Sequence, residues 1–212
     1  MNFKQIVLKY TGYELTDYQI NQFETYYEFL IAYNKKVNLT RITDKEEVYI
    51  KHFLDSILPI KQIDFKTINK VIDMGSGAGF PGIPLKILYP HLEVLLVDAR
   101  KKKLVFLDEL IKKLNLTNTK TLHERLEKIE IKEYFDLATA RALSSLEDII
   151  KYAYPLIKMK GYILSYKSLK YEEELNQVSD KLKDKTKVIN ITNYYLPDES
   201  GTRYNIVIKK VK

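Results

Sequence analysis

The chain has 212 residues, 45% of them hydrophobic, which is enough for one packed core of moderate size. It has no cysteine, so disulfides and thiolate metal sites are excluded. Lys and Arg outnumber Asp and Glu by 35 to 28, a net charge of +7 that suits a polyanionic partner but also follows from a Lys-, Asn-, Ile- and Tyr-rich composition.

Residues 1–60 read as helical. They show neither a long apolar N-terminal stretch nor a cleavage pattern for export, and no segment anywhere has the ~20 apolar residues of a membrane span. A cytoplasmic protein is the expectation. Thr16 and Gln19 fit a capping box, after which Phe23, Tyr27, Leu30, Asn34 and Val37 recur at helical spacing. Thr43 and Glu46 repeat the cap before a helix that runs toward Pro59.

From about residue 70 short apolar runs alternate with amphipathic stretches, the pattern of a parallel sheet with crossover helices. Strands are expected at 70–74, 93–98, 119–122, 135–140 and 161–166, and helices near 83–89, 100–114, 145–154 and 169–184. Ser144 and Glu147 read as a cap for the third of these helices. Two further strands, 187–195 and 203–210, are joined by the turn-rich segment Leu196–Thr202 without a helix, so they form an antiparallel pair. The whole is an α/β, Rossmann-like architecture: a mainly parallel seven-stranded sheet, an antiparallel C-terminal edge pair and an N-terminal helical extension. Residues 1–60 are expected as an arm and 61–212 as the main domain, the two forming one compact unit.

The first strand runs into Asp73-Met74-Gly75-Ser76-Gly77-Ala78-Gly79-Phe80-Pro81-Gly82, which holds four of the seven glycines in the chain. A tight strand-to-helix turn beside a ligand needs positive φ and the absence of Cβ, and helix N-terminal N–H groups are then expected to face that ligand. Two patterns fit. Gly77, Gly79 and Gly82 match the dinucleotide fingerprint. Asp73, Gly75, Gly77 and Gly79 match the loop of S-adenosylmethionine enzymes. A carboxylate at Asp73 would repel a pyrophosphate and favour the ammonium and sulfonium of S-adenosylmethionine. Asp98, 25 residues on, suits a ribose diol in either case. Arg141 ends the fourth strand and faces the ligand crevice, while Leu126 and Glu127 follow the third strand and flank the base or are merely solvated. The three histidines, at 52, 91 and 123, show no metal spacing, so no metal is expected.

The glycine loop, extended through Phe80-Pro81-Gly82-Ile83-Pro84-Leu85, resembles the signature of the bacterial ribosomal RNA small subunit methyltransferase G family, also called the glucose-inhibited division protein B family. Val37-Asn38-Leu39-Thr40-Arg41-Ile42 and His52-Phe53-Leu54-Asp55-Ser56 resemble its N-terminal motifs. Asp98, Lys101-Lys102, Phe106-Leu107, Arg141-Ala142 and Lys167 follow in the same order. The resemblance implies a class I methyltransferase that moves the methyl of S-adenosylmethionine to N7 of a guanosine in 16S ribosomal RNA near the decoding region, either naked or within the 30S subunit or an assembly intermediate. It implies cofactor contacts at Gly75, Phe80, Leu126, Glu127 and Arg141, with Asp98 on the ribose. Guanine N7 has a free in-plane lone pair, so no general base is required. Asn38, Arg41, His52 and Asp55 are assigned to the substrate side, where the alternative for Asn38 and Asp55 is to cap or cross-link the arm. Lys101, Lys102, Lys167 and Arg203 are expected phosphate contacts, and the acting unit is expected to be a monomer. A nucleotide-binding oxidoreductase, a non-catalytic RNA-binding module and a methyltransferase for protein or small molecules are the competing readings.

Overall fold

The computed structural model describes residues 2–197 and 201–212; the middle of the turn expected at 196–202 lies outside them. Seven strands form one sheet in the order β3-β2-β1-β4-β5-β7-β6. They are β1 (Lys70–Met74), β2 (Glu93–Asp98), β3 (Thr119–His123), β4 (Phe135–Arg141), β5 (Ile157–Lys167), β6 (Thr186–Tyr195) and β7 (Thr202–Lys210). The pairs among β1 to β5 are parallel, and β7 runs antiparallel to both β5 and β6, as expected from the missing crossover helix.

One face of the sheet is covered by α1 (Phe3–Thr11), α2 (Asp17–Asn34), α3 (Lys45–Val48), α4 (Asp55–Ile57), α5 (Gly82–Leu88) and α6 (Lys101–Lys113). The other is covered by α7 (Leu146–Ala153), α8 (Tyr171–Gln177) and α9 (Asp180–Lys183). Among the described residues no helix is long and apolar enough to cross a membrane.

Thr16 and Gln19 form the reciprocal cap expected for α2. Its buried stripe, however, is Gln19, Gln22, Phe23, Tyr26 and Leu30. Tyr26, not Tyr27, continues the turn from Phe23, because three or four residues complete a helical turn and the face drifts back by one position. Asn34 ends the helix and binds the following loop. Gln19 Nε2 donates to Ile87 O at 2.9 Å and Gln22 Nε2 to Leu114 O at 2.9 Å, so buried amides fasten α2 to the carboxyl ends of α5 and α6.

Four more expectations are corrected. Asp44, not Thr43, caps α3, with its Oδ1 accepting from Glu47 N at 3.0 Å; a carboxylate at a helix N-terminus also meets the positive end of the dipole. Ser145, not Ser144, caps α7 by accepting from Asp148 N, while Glu147 accepts from Ser179 N. The long helix expected at 169–184 is two short ones, broken where Val178 turns extended and buries itself in the second core. Strand β5 starts earlier than the expected 161–166; a bulge between its pairings with Phe135 and Leu137 absorbs the Lys- and Gly-containing stretch that hides strand character.

Candidate functional site

The helical run 45–61 changes pitch in the middle. After α3 comes a π-helical stretch, Tyr49–Leu54, then α4 and a tight 3-10 turn at Leu58–Lys61 containing Pro59. Such local widening is frequent at functional sites, and this one carries His52 and leads straight into Asp55.

The glycine loop leaves β1 with φ of +71° at Gly75, +59° at Gly77 and +99° at Gly79. A Cβ on Gly79 would lie 2.7 Å from the Tyr26 hydroxyl and 2.8 Å from Ile83 Cγ1, so α2 and α5 both press on the loop. The Tyr26 hydroxyl donates to Ala78 O. The α5 N-terminal donors do not face a ligand, contrary to expectation: Gly82 N donates to Asp73 Oδ2 at 3.1 Å and Ile83 N to Gly79 O at 2.8 Å.

Asp73 is corrected with them. It is buried, its other oxygen accepts from Thr139 Oγ1 at 2.8 Å, and it does not line the cavity beside the loop. Burial raises its carboxyl to about 6, against the opposing pull of these hydrogen bonds. Its role is to clamp the loop to β4, not to face a cation.

That cavity, of about 490 Å³, lies at the carboxyl ends of β1, β2 and β3, the usual ligand position in an open α/β sheet. Of the residues expected to hold the cofactor, Gly75, Asp98, Leu126 and Glu127 line it; Gly77, Phe80 and Arg141 do not. Asp98 is nearly buried. Its Oδ1 accepts from Arg100 N at 2.8 Å, and its Oδ2 accepts from Gly77 N at 3.0 Å with the Lys103 ammonium 3.8 Å away. A carboxylate has about four lone-pair directions, so capacity remains for two hydroxyls. Leu143 stands over Gly75: a Cβ there would sit 2.6 Å from Leu143 Cδ1. A polar carboxylate at one wall and Leu126, Leu143 and Tyr152 on the others fit an adenosine, with its ribose diol and apolar base faces.

Gly77 serves the site through its hydrogen bond to Asp98, and Phe80 through packing. The Phe80 ring stacks on His52 at 4.5 Å and on Tyr26 at 5.4 Å, and the Arg141 guanidinium carbon lies 4.8 Å from its centroid. Arg141 joins a second, polar compartment. Its Nη1 donates to Lys51 O at 3.2 Å and Asp55 Oδ2 at 3.1 Å, and its Nη2 lies 3.1 Å from His52 Nδ1. Arg203 Nε is 3.7 Å from Asp55 Oδ1, an atom without a hydrogen bond. Burial raises the Asp55 carboxyl, and the two arginines oppose that shift. Burial and then the Arg141 charge lower His52 to about 3, so its ring is neutral at pH 7.

Thus the structure brings His52, Asp55, Arg141, Phe80 and Arg203 together. Asp55 cross-links the arm to β4, the structural role offered as its alternative. Asn38 and Arg41 stay exposed on the loop between α2 and α3. Lys101 and Lys102 are exposed at the start of α6, and it is Lys103 that turns into the cavity. Lys167 is corrected as a phosphate contact: its buried ammonium is 2.6 Å from Glu174 Oε2 and donates to Ser144 O at 2.7 Å. The sequence offers Lys101-Lys102-Lys103 as a solvated helix face or a phosphate-steering run, and it is the third that turns inward; Thr40 stands in the 37–42 motif without a role of its own, and nothing local marks Thr139.

A family profile described as rRNA small subunit methyltransferase G matches residues 19–199. A ribosomal RNA small subunit methyltransferase G of Macrococcus caseolyticus is 44% identical over 208 residues, spanning 96% of this chain and 87% of its own. That of Bacillus subtilis is 40% identical over 206 residues, spanning 95% of this chain and 86% of its own. Among solved structures, a SAM dependent methyltransferase from Aquifex aeolicus superposes with a TM-score of 0.61 at 17% identity, over 82% of this chain and 97% of that one, a likeness of fold. With a family profile matched over most of its length and relatives at 40–44% identity, this chain belongs to the rRNA small subunit methyltransferase G family.

Proposed function

We propose that the chain transfers the methyl group of S-adenosylmethionine to N7 of a guanosine of 16S ribosomal RNA, in the decoding region of the small subunit. The observation that carries the reading is the cavity beside Gly75, with the Asp98 carboxylate at one wall and apolar side chains at the others, in a chain of this family. Asp98 would take the ribose hydroxyls, and Leu126, Glu127 and Tyr152 would enclose the base. The Gly75 backbone would lie along the ligand, with Phe80 and Arg141 on the far flank. Arg141 spends three N–H donors on Lys51, Asp55 and His52, which leaves two of its five for a carboxylate.

S-adenosylmethionine, when bound, supplies an electrophilic methyl. Guanine N7 supplies the lone pair and loses no proton, so the chain needs no general base. Its residues orient the two partners, and the rate comes from proximity and alignment. Exposed Asn38 and Arg41, with Lys101, Lys102 and Arg203, would meet the RNA backbone and a base drawn from its stack. His52 and Asp55 would act on the substrate side through Arg141. Such a substrate would be met in the cytoplasm. Its natural form would be the 30S subunit or an assembly intermediate. The acting unit would be a monomer.

The test is incorporation of labelled methyl from S-adenosylmethionine into 30S subunits lacking the modification, followed by digestion to nucleosides. Label in 7-methylguanosine, abolished when Asp98→Ala removes the ribose acceptor, supports the reading; absence of label with both naked RNA and subunits contradicts it. Melting that responds to nicotinamide dinucleotide and not to S-adenosylmethionine would indicate an oxidoreductase instead.

A further inference from the structure

The loop between α2 and α3 is hydrogen-bonded on its inner side. Asn34 Oδ1 accepts from Leu39 N at 2.8 Å and Thr40 N at 3.0 Å, and Asn34 Nδ2 donates to Thr40 O at 3.0 Å. Thr40 Oγ1 accepts from Ile42 N at 3.1 Å and lies 2.8 Å from His52 Nε2. On its outer side the same loop exposes Asn38 and Arg41.

Protonation of the His52 ring follows from its neighbours. His52 Nδ1 lies 3.1 Å from Arg141 Nη2 and 3.2 Å from Lys51 O; a guanidinium only donates, and Lys51 O already accepts from Arg141 Nη1, so the charged donor takes Nδ1 and leaves it bare. The ring proton then sits on Nε2 and is donated to Thr40 Oγ1. The charges facing the ring are Arg141 and Arg203, with Asp55 beyond Arg141, and both arginines disfavour an imidazolium. A continuous path runs from the loop through Thr40 and His52 to Arg141. His52 and Arg141 both rest on Phe80 of the glycine loop.

We infer that Thr40 and His52 are positioning residues for Arg141, coupling contact of the 35–44 loop with RNA to the affinity of the cofactor crevice. This rests on the proposed function, because it takes RNA and S-adenosylmethionine as the two ligands. Docking of RNA on Asn38 and Arg41 fixes the loop; Thr40 then fixes the His52 ring, and the ring fixes the Arg141 fork and the Phe80 edge of the glycine loop. By linkage the effect is reciprocal: ligand in the crevice tightens the hold on RNA by the same factor.

The experiment titrates the full chain with S-adenosylhomocysteine, which binds without turnover, alone and with saturating 30S subunits that lack the methyl group. In the wild type the two dissociation constants should differ by about fivefold or more, the lower range of measured couplings. Thr40→Val, which keeps the shape and removes the hydroxyl, should bring their ratio close to one. Thr40→Ser should restore the ratio. Equal constants in the wild type, or an unchanged ratio in Thr40→Val, overturn the coupling. No binding of the ligand by the wild type overturns the functional reading, and the coupling with it. Independently of any variant, ¹⁵N spectra of the three histidines should show His52 at pH 7 as the neutral Nε2–H tautomer. An Nδ1–H tautomer or an imidazolium there overturns the path.

Discussion

Asp73 and His52 are buried ionisable groups whose shifts have opposite consequences. Asp73 stands at about 6 in the fold against an ordinary 3.8, so the folded state binds its proton more tightly. Its contribution is fully present below about pH 4 and is lost as pH rises through 6. His52 stands at about 3 against 6.5, so the unfolded state binds the proton more tightly. Its contribution is present above about pH 6.5 and is lost as pH falls toward 3. Two predictions follow the signs. Relative to His52→Gln, which can still accept from Arg141 and donate to Thr40, the wild type should lose stability between pH 6.5 and 3 in denaturant titrations. Relative to Asp73→Asn the wild type should instead gain between pH 6 and 4. Asp73→Ala is harsher at neutral pH: it leaves Gly82 N–H and the Thr139 hydroxyl buried without an acceptor, about 1–3 kcal/mol for each group. At this scale the sequence marks Asp73 by its place before the glycines but cannot say where its oxygens point. Thr139, three strands later in the chain but next to it in the sheet, decides that.

The elements were read well where hydrophobic period and punctuation agree. Strands β1, β2 and β4 stand out as short apolar runs, and helix α6 by its 3.6-residue period. The reading fails where two residues compete for one job or where geometry is irregular. Thr43 and Asp44 both suit a cap, as do Ser144 and Ser145, and the side chain that reaches the third amide wins. The π-helical stretch at Tyr49–Leu54 has no sequence period of its own, so the placement of His52 and Asp55 against β4 was visible only as a resemblance. The glycine loop shows what each glycine is for. Gly75→Ala puts a Cβ on a residue at φ +71° and pushes Leu143 toward the cavity. It should cost about 1–2 kcal/mol in melting experiments, the strain of a left-handed non-glycine residue. It should weaken S-adenosylhomocysteine binding by tenfold or more, because the displaced Leu143 occupies ligand space. Binding equal to wild type would mean that the ligand does not run past Gly75.

Across the whole molecule a net charge of +7 gives rRNA a general attraction, and which cations contribute depends on where they lie. Arg41 is exposed on the loop between α2 and α3, whereas Lys167 is paired with Glu174 inside the fold. Methylation rates measured against salt should therefore separate them. Arg41→Ala should reduce the log–log salt slope by about 1, the loss of one phosphate contact. Lys167→Ala should leave the slope unchanged and lower the melting temperature, because it strips a partner from Glu174 and Ser144 O. The fold as a whole, α/β with five parallel strands and an antiparallel edge, was legible in the sequence because the helices after β1, β2, β4 and β5, and the helix-free link from β6 to β7, are written into the apolar pattern. The partition between an adenosine-sized cavity and the Arg141 compartment was not, since it arises from long-range packing of α2, the π-helical stretch and β4.

The central claim is the site of methylation, and strand scission tests it most directly. 16S rRNA from 30S subunits lacking the modification, treated with the chain and S-adenosylmethionine, is exposed to borohydride and then aniline, which cleave at 7-methylguanosine. The account predicts one new break, at a single guanosine in the decoding region, absent when the donor is omitted. No break, or label recovered in another base, in protein or in a small molecule, would contradict it.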